Sequence, residues 1–471
     1  MPEPLWNWPD LVAAAHGLAD GAPAWPIRGF SIDTRSLRPG DVFIALRDKR
    51  DGHEFVPAAF RAGAVAAIVA RDYRRGSSTN ALLRVADPLE ALHNIGRIAR
   101  LRSRARIIAI TGSVGKTGTK EMLSLCLGEL GRTHAAEKSY NNHWGVPLTL
   151  ARLPYDAEFG VFEIGMNHAG EIRSLVSLVT PHAAVITSIE AVHLGHFGSV
   201  ADIAEAKAEI LAGLVPGGAA ILPRDNAHFR LLRERAAAVG AKIVTFGYHQ
   251  DADFRGLQVD LGPKGSSVIT GFGTQRFPYR VGAPGEHYVK NSLAVLAALS
   301  ALGVDVMRSL PALARVSAPV GRGARSLLDS PDGPILLIDE SYNANPASVR
   351  AALAAMATTP REVYPRRVAV LGDMLELGQA AADLHRSLKE AIDAAGVDLV
   401  LACGQHMRLL HESLPPGRRG QWTESSVALV DPLLDSIRAG DVVMIKGSLG
   451  SNMAPLVAAL MARFRAARSG G

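Results

Sequence analysis

Residues able to bind phosphate lie in the stretch TGSVGKTGTK, which follows the apolar run RARIIAI. Gly112 and Gly115 permit a tight turn whose amide groups can point at an anion, and a following helix start adds partial positive charge. Lys116 can reach the β- and γ-phosphates of a nucleotide, and the Thr117 hydroxyl can ligate magnesium. The usual phosphate-binding loop has a glycine where Ile110 stands here. The order of strand, glycine-rich turn and helix still predicts a nucleotide-binding loop.

Further polar residues lie at or near the ends of apolar runs. Glu163 ends the run FGVFE, where a carboxylate at the carboxyl edge of a sheet could ligate magnesium or, alternatively, cap the next helix. Asn141 and Asn142 lie in SYNNHWGVPLTL and could equally serve turn geometry. The segment TSIEAVHLGHFGSVADIAEAKAEIL contains His193 and Lys207, which by residue type alone also suit an ordinary turn and a solvated helix.

Apolar runs alternate with helical patterns through the middle and the end of the chain. In residues 105–318, IIAIT, FGVFEIG, AAVITSI, AAILP and KIVTFG predict a mostly parallel sheet covered on both faces. Residues 251–282 alternate and turn like antiparallel hairpins, and HYVKNSLAVLAALSALG predicts a helix after them. In residues 319–471, PILLIDES, RRVAVLGDM, VDLVLACG and DVVMIKGS predict a second α/β sheet of Rossmann-like type.

The first part of the chain, residues 1–104, has a sparser pattern. GDVFIAL predicts a short strand, and FVPAAFRAGAVAAIVA predicts a helix, a glycine break and a buried strand. LEALHNIGRIARLRSR predicts a helix that ends in basic residues. The predicted fold is therefore α/β, in three domains.

The phosphate loop and its companion motifs resemble the Mur ligase family, the ATP-dependent amide ligases of peptidoglycan synthesis. Thr-Gly-Ser-x-Gly-Lys-Thr is similar to the family's short phosphate loop, although Gly118 stands where the family usually has a hydroxyl residue. SYNNHWGVPLTL is similar to the signature Asn-x-x-Gly-x-Pro-x-Thr, whose asparagine helps to hold ATP phosphates or substrate. The resemblance spans almost the whole chain. It implies the three-domain Mur ligase architecture, with the phosphate loop in the central parallel sheet, a Rossmann-like C-terminal domain, and ATP and Mg2+ as cofactors.

The resemblance also implies roles for single residues. Lys207 matches a lysine that is often carbamylated in the family, which requires a neutral amine and hence a depressed pKa. Asn291 in GEHYVKNSL would contact adenine, Arg322 in VGRGAR would reach the γ-phosphate when domains close, and Asp339 would hold the ribose. The implied ATP-binding residues are Thr111, Gly112, Ser113, Val114, Gly115, Lys116, Thr117, Asn291, Arg322 and Asp339. The implied metal ligands are Thr117, Glu163, His193 and Lys207, and the implied catalytic residues are Lys116, Lys207 and Arg322.

Two signatures narrow the resemblance within the family. DESYNANP and LGDMLELG are similar to those of members that join D-alanyl-D-alanine to UDP-N-acetylmuramoyl-tripeptide. SIDTRSLRPGDVFIAL is similar to their uridine-binding domain, so residues 1–104 would hold the UDP substrate, 105–318 ATP and 319–471 the incoming dipeptide. The third residue of the tripeptide stays open. The implied substrate-binding residues are Asp33, Thr34, Arg35, Asn141, Asn142, Tyr342, Asn343 and Asn345.

Composition limits the other classes of protein. The 471 residues favour two to four domains, and an apolar content of 48% argues against disorder. Lys and Arg exceed Asp and Glu by 51 − 45 = 6, a diffuse excess that suits small anionic substrates and does not indicate nucleic acid. Two cysteines, no signal-peptide pattern and no apolar run of about 20 residues predict a cytoplasmic chain without a membrane span. We expect a monomer.

Other functions account for less of the chain. Another ligase of the superfamily, such as the diaminopimelate-adding enzyme or folylpolyglutamate synthetase, would lack the two narrowing signatures or the uridine-like region. A nucleotide-dependent switch would hydrolyse nucleotide slowly without an amine acceptor, and it leaves the first and third regions unexplained. A structural or interaction protein explains none of the site motifs.

Overall fold

Three β-sheets follow one another along the chain in the computed structural model, which describes residues 4–76, 79–192 and 195–466. We call the parts of the chain that build them the first, central and last units. The first unit contains strands β1 Leu18–Asp20, β2 Gly29–Ser31, β3 Asp41–Ile44, β4 Ala66–Ala70 and β5 Ala81–Val85, with helices α1 Trp8–Ala14, α2 Val56–Arg61 and α3 Pro88–Arg102.

The central unit carries the phosphate loop. Its strands are β6 Arg106–Thr111, β7 Thr133–Ala135, β8 Phe159–Glu163, β9 Ala183–Ile186, β10 Ala219–Pro223, β11 Lys242–Gly247, β12 Phe254–Gly262, β13 Gly265–Phe272 and β14 Gln275–Val281. Its helices are α4 Lys116–Gly128, α5 Gly145–Ala151, α6 Glu171–Val179, α7 Val200–Ala208, α8 Phe229–Ala238, α9 Glu286–Ala301 and α10 Val306–Ala314.

The last unit completes the described chain. Its strands are β15 Ala324–Ser330, β16 Gly333–Glu340, β17 Arg366–Gly372, β18 Leu399–Cys403, β19 Arg419–Thr423, β20 Asp441–Lys446 and β21 Arg465–Ala466. Its helices are α11 Pro346–Ala357, α12 Ala381–Arg386, α13 Leu388–Ala394, α14 Gln405–Ser413, α15 Val430–Ser436 and α16 Ala454–Arg463.

The central sheet has the order β14-β13-β12-β11-β10-β9-β6-β8-β7. The strands from β7 to β11 pair in parallel, and β12, β13 and β14 form an antiparallel meander at one edge. One apolar core lies on each face of the parallel part, which is why its strands are almost continuously apolar. Because parallel strands end at the same edge, the residues after β6, β8 and β9 meet there.

The last sheet has the order β19-β18-β17-β20-β16-β15-β21. Strands β16 to β20 pair in parallel, while β15 and β21 add antiparallel edges. The first sheet, β1-β5-β4-β3-β2, is parallel except for β1. The core of the first unit includes Leu148 and Ala151 of α5, and the Trp6 indole donates to the Ala151 carbonyl at 3.0 Å. The first unit is therefore packed directly onto the central one.

The longer apolar runs form strands as predicted, and the α/β fold with a parallel central sheet is confirmed. The predicted hairpins after β11 and the helix α9 are also present. The sequence patterns missed β5 and the short or polar strands, which are β1, β2, β7, β15, β19 and β21. The short or polar strands lie at or next to sheet edges, and their residues show no long apolar run that would predict them. No helix in the described ranges has the length and apolarity needed to cross a membrane.

Candidate active site

The phosphate loop connects β6 to α4 at the carboxyl edge of the central sheet. Gly112 and Gly115 have φ of +151° and +88°, and a Cβ on Gly115 would lie 2.6 Å from the Asn291 side-chain oxygen. Both positions therefore require glycine. The Lys116 ammonium folds back over the loop and donates to the Gly112 carbonyl at 2.6 Å. The loop geometry suits an anion at the helix start.

The segment after β9 fixes the backbone of the loop. The Ser113 amide donates to the Ser188 carbonyl at 2.9 Å, and the Val114 amide donates to the Ser188 hydroxyl at 3.0 Å. The Ser113 hydroxyl accepts from the Glu190 amide at 2.8 Å and donates to the Glu190 carbonyl at 3.1 Å. These bonds hold the loop in one shape, because they tie successive residues to a neighbouring strand end.

Glu163 is the centre of a buried polar cluster below the loop. Its side chain is 2% exposed and accepts from the Thr117 hydroxyl at 2.9 Å and from the Asn141 amide at 2.7 Å. The Ser139 hydroxyl lies 3.4 Å from the Thr117 hydroxyl. The cluster presents oxygen atoms next to the position where the loop would hold phosphates.

Two lysines share this buried region. Burial lowers the pKa of Lys116, an effect opposed by the Glu163 carboxylate and reinforced by the Arg322 guanidinium. Lys207, on α7, is 2% exposed, and burial together with the charge of Lys116 lowers its pKa well below the usual value. Burial and the charge of Lys116 thus shift Lys207 toward its neutral amine form.

The last unit reaches the site through residues near its first strands. The Arg322 guanidinium lies 3.5 Å from the Ser139 hydroxyl and 4.1 Å above the centre of the Tyr342 ring, and its carbonyl accepts from the Tyr288 hydroxyl of α9 at 3.1 Å. The Asp339 carboxylate accepts from the Gly321 amide at 3.0 Å, so it fixes the turn that carries Arg322. The charge of Arg322 is therefore aimed at the phosphate loop from another unit.

Asn291 packs on the loop from α9. Its side chain is buried, and a Cβ on Gly118 would lie 3.2 Å from the Asn291 amide nitrogen. The glycine at this position therefore leaves room for the Asn291 side chain, which lies beside both Gly115 and Gly118.

The predicted UDP-binding turn lies at the border of the first and central units. The Asp33 carboxylate accepts from the Arg35 backbone and guanidinium, which lowers the pKa of Asp33, and Lys138 of the central unit lowers it further. The Arg35 side chain is 88% exposed. Arg38 pairs with Glu137 of the central unit at 2.9 Å. The turn thus lies close enough to the segment that carries Ser139 for the charge of Lys138 to act on Asp33.

Two protein-family models match parts of this chain. The Mur ligase middle domain matches residues 110–299, and the Mur ligase glutamate ligase domain matches residues 327–449. UDP-N-acetylmuramoyl-tripeptide–D-alanyl-D-alanine ligase from Synechocystis sp. is 35% identical over 93% of this chain and 92% of the relative. The Escherichia coli ligase of the same name is 34% identical over 91% of this chain and 92% of its own.

The chain belongs to the Mur ligase family, in its MurF branch. The crystal structure of MurF from Acinetobacter baumannii has a TM-score of 0.83 at 30% identity and covers 98% of this chain and 100% of its own. MurF from Thermotoga maritima, crystallised in complex with ADP, has a TM-score of 0.75 at 23% identity, covering 93% of this chain and 99% of its own, and supports the fold. The Mur ligase architecture predicted from the sequence is confirmed.

The structure brings together most residues that the Mur ligase resemblance singled out. The loop from Thr111 to Thr117 lies together with Asn141, Glu163, Lys207 and Arg322 in one cluster. Glu163 and Lys207 are buried, and Asn141 and Arg322 are partly exposed. Their roles in catalysis and binding stay predictions. His193 lies outside the described residues.

Other predicted Mur ligase site residues have local structural contacts. Asn345 caps α11 in a reciprocal capping box with Ser348, and the Asn142 side chain accepts from the Gly145 amide at 2.9 Å. The Asn343 side chain accepts from the Ala344 amide at 2.9 Å. Substrate contacts of these asparagines stay predictions, and the structure supplies a backbone role for each. Thr34 lies in the turn between Asp33 and Arg35.

Two residues of the site escaped the sequence reasoning. Ser139 lies between Thr117 and Arg322. A serine in SYNNHWG does not by itself indicate a site residue. Lys120 ends the stretch TGSVGKTGTK, and no role of its own was predicted for it, yet its side chain is 1% exposed. A lysine one helical turn after Lys116, on a helix with a buried face, was the available signal for it.

Proposed function

We propose that this chain joins D-alanyl-D-alanine to UDP-N-acetylmuramoyl-tripeptide at the buried cluster around the phosphate loop, with ATP converted to ADP and phosphate. One observation carries the assignment of the site. Lys116 of the loop and Arg322 of the last unit, both partly buried, converge on the buried Glu163 carboxylate. Phosphoryl transfer needs this arrangement, because its catalysis depends mainly on positioning and charge neutralisation.

The chemistry proceeds in two steps. The free carboxylate of the tripeptide attacks the γ-phosphorus of ATP, the bond to the β,γ-bridging oxygen breaks, and an acyl phosphate and ADP form. The amine of D-alanyl-D-alanine then attacks the acyl carbon, phosphate leaves, the amine loses a proton, and an amide remains. Lys116 and Arg322 neutralise charge on the transferring phosphoryl group, and packing of the last unit on the loop keeps water from the acyl phosphate.

Magnesium fits the donor set at the loop. The Thr117 hydroxyl and Glu163 carboxylate lie 2.9 Å apart, are buried, and offer the oxygen ligands that hard cations prefer. In the described ranges, no group of three or more His, Cys, Asp or Glu side chains could hold a metal alone. Magnesium commonly retains water and phosphate ligands, so two protein oxygens suffice. When bound, the ion would neutralise negative charge on the phosphates.

Lys207 is proposed to act in carbamylated form. A neutral amine reacts with carbon dioxide and loses a proton to give a carbamate anion, and burial favours the neutral amine here. The product would replace the buried amine with an oxygen-bearing anion close to Lys116. A second magnesium held by this group and by His193 is the corresponding metal proposal.

The three units are proposed to divide the substrates. Asp33, Thr34 and Arg35 of the first unit would hold the UDP moiety, Asn291 and Asp339 would hold adenine and ribose, and the last unit would supply the dipeptide. The ion pair between Arg38 and Glu137 supports this division, because it joins the first unit to the segment beside the phosphate loop. We also propose that the protein is a cytoplasmic monomer. The cytoplasmic location is proposed from the low cysteine content and from the lack of a signal-peptide pattern in the sequence.

Trapping of the intermediate tests the proposed chemistry. With UDP-N-acetylmuramoyl-tripeptide, Mg2+, ATP and hydroxylamine, but no dipeptide, we expect a tripeptide hydroxamate to accumulate with one ADP per hydroxamate. Omitting ATP should abolish it. ADP formation without hydroxamate would contradict an acyl phosphate on the tripeptide.

A further inference from the structure

A short segment of the central unit, residues 136–141, touches all three units; we call it the bridging segment. Glu137 pairs with Arg38 of the first unit, and Tyr140 packs against the core of the first unit. Ser139 lies 3.5 Å from the Arg322 guanidinium at the start of the last unit. The segment therefore lies where the UDP-binding unit, the phosphate loop and the last unit meet.

The bridging segment also supplies the polar atoms around the proposed magnesium ligands. The Asn141 amide donates to Glu163 at 2.7 Å, and the Ser139 hydroxyl lies 3.4 Å from the Thr117 hydroxyl. The Asn141 carbonyl accepts from the Gly165 amide at 2.8 Å, just beyond Glu163. A shift of the segment would thus alter the orientation of both proposed ligands.

A buried ammonium fixes the start of this segment. Lys120, on α4, donates to the Ala136 carbonyl at 2.6 Å and pairs with Glu121 at 2.7 Å. Its side chain is 1% exposed, and lysine is rarely buried because removing its charge from water costs free energy. An apolar side chain of the same length would fill this space without that cost. The ammonium therefore links α4 directly to a carbonyl at the start of the bridging segment.

We propose that Lys120 is a positioning residue for the nucleotide and magnesium site, acting through the bridging segment. α4 begins at Lys116, so the helix that presents the phosphate loop also holds the segment that orients Glu163. Lys120 does not reach the phosphates in this role; it sets the distance between the loop helix and Asn141. This inference rests on the proposed function, since it assigns Lys120 to the same site.

The test compares binding of ADP in the presence of Mg2+ with binding of the UDP-tripeptide, both by titration calorimetry on the full chain. Lys120→Met should weaken Mg2+·ADP binding at least tenfold and raise the Mg2+ concentration needed for half-maximal ligation by a similar factor. Binding of the UDP-tripeptide should change less than threefold. Lys120→Arg, which retains a charged donor, should recover part of the loss.

Cys126→Ala provides the matched control. Cys126 is a buried residue of α4 whose thiol faces the Ser309 carbonyl of α10, away from the bridging segment. This variant should lower the melting temperature without changing either binding constant. A Lys120→Met variant that behaves like Cys126→Ala, with lower stability and unchanged Mg2+·ADP affinity, would overturn the positioning role.

A double-variant cycle separates action through the segment from a direct effect. If Lys120 works through Asn141, Lys120→Met should weaken Mg2+·ADP binding much less in an Asn141→Ala background. If the two substitutions weaken Mg2+·ADP binding independently, so that their fold-losses in affinity multiply, the proposed route through Asn141 is contradicted. If Lys120→Met does not fold, Lys120→Gln is measured under the same criteria. Absence of ligation by the unaltered chain would overturn the proposed function, whereas an unshifted Mg2+·ADP affinity in the variants would overturn only this inference.

Discussion

Lys207 allows a test of the site that does not depend on turnover. The side chain is 2% exposed, and burial and the charge of Lys116 lower its pKa well below the ordinary value. Lys207→Met keeps the length of the side chain and removes its titration. In buffer free of carbon dioxide, the two proteins should therefore differ in how their stability depends on pH.

The sign and size of this difference follow from proton linkage. The unfolded lysine titrates near a pKa of about 10.4, whereas folded Lys207 titrates lower. Between these two values the unfolded state binds more protons, so the stability of the unaltered protein rises with pH by up to about 1.36 kcal/mol per pH unit. From pH 7 to 9 the free energy of unfolding of the unaltered protein should rise by up to about 2.7 kcal/mol relative to that of Lys207→Met. Each of the two pH units contributes about 1.36 kcal/mol. The gain is smaller if folded Lys207 titrates inside that window.

The assay is urea unfolding of both proteins at pH 7, 8 and 9. Lys207→Met should be relatively more stable at pH 7, and the advantage should shrink toward pH 9. Added bicarbonate should raise the melting temperature of the unaltered protein only, because Lys207→Met lacks the buried amine proposed to form the carbamate. Parallel pH profiles for the two proteins would refute a depressed pKa at Lys207, and an equal response to bicarbonate would refute carbamylation there.

Three further substitutions test separate parts of the site. Lys116→Ala should reduce ligation by about three orders of magnitude, the scale of a lost charge contact to the transferring phosphoryl group, with a cooperative melting transition retained; near-normal turnover would remove the loop from the mechanism. Glu163→Gln should raise the Mg2+ requirement roughly tenfold or more, because the amide replaces a buried carboxylate that accepts from Thr117 and Asn141; an unchanged Mg2+ titration would assign the metal elsewhere. Asn291→Ala should raise the KM for ATP by about tenfold, equivalent to about 1.4 kcal/mol for a lost hydrogen bond. An unchanged KM would move the adenine site away from α9.

Local patterns predicted the elements that carry the site. The run before Thr111 and the run ending at Glu163 are apolar on both faces, so strands under helices were the expected outcome. Gly-Lys-Thr after such a strand places a phosphate loop by local rules alone. The short strand β7, Thr133–Ala135, has no such pattern, since it forms only because β8 is available to pair with it.

Contacts between distant parts of the chain were beyond these patterns. Arg322 and Ser139 are separated by 183 residues, and their approach depends on how the last unit packs on the central one. Lys207 by residue type suits a solvated helix face, and only the resemblance to the family pointed to a buried role. Asn345 was predicted only as a substrate-binding residue, whereas the structure shows that it caps α11 together with Ser348.

ATP-dependent phosphate release by the purified chain, with mass analysis of the product, tests the central claim most directly. With Mg2+, UDP-N-acetylmuramoyl-tripeptide and D-alanyl-D-alanine, we expect one phosphate released for each UDP-N-acetylmuramoyl-pentapeptide formed, and neither product when either substrate is omitted. Phosphate release that ignores the dipeptide, or a tripeptide that is recovered unchanged, would contradict the assignment.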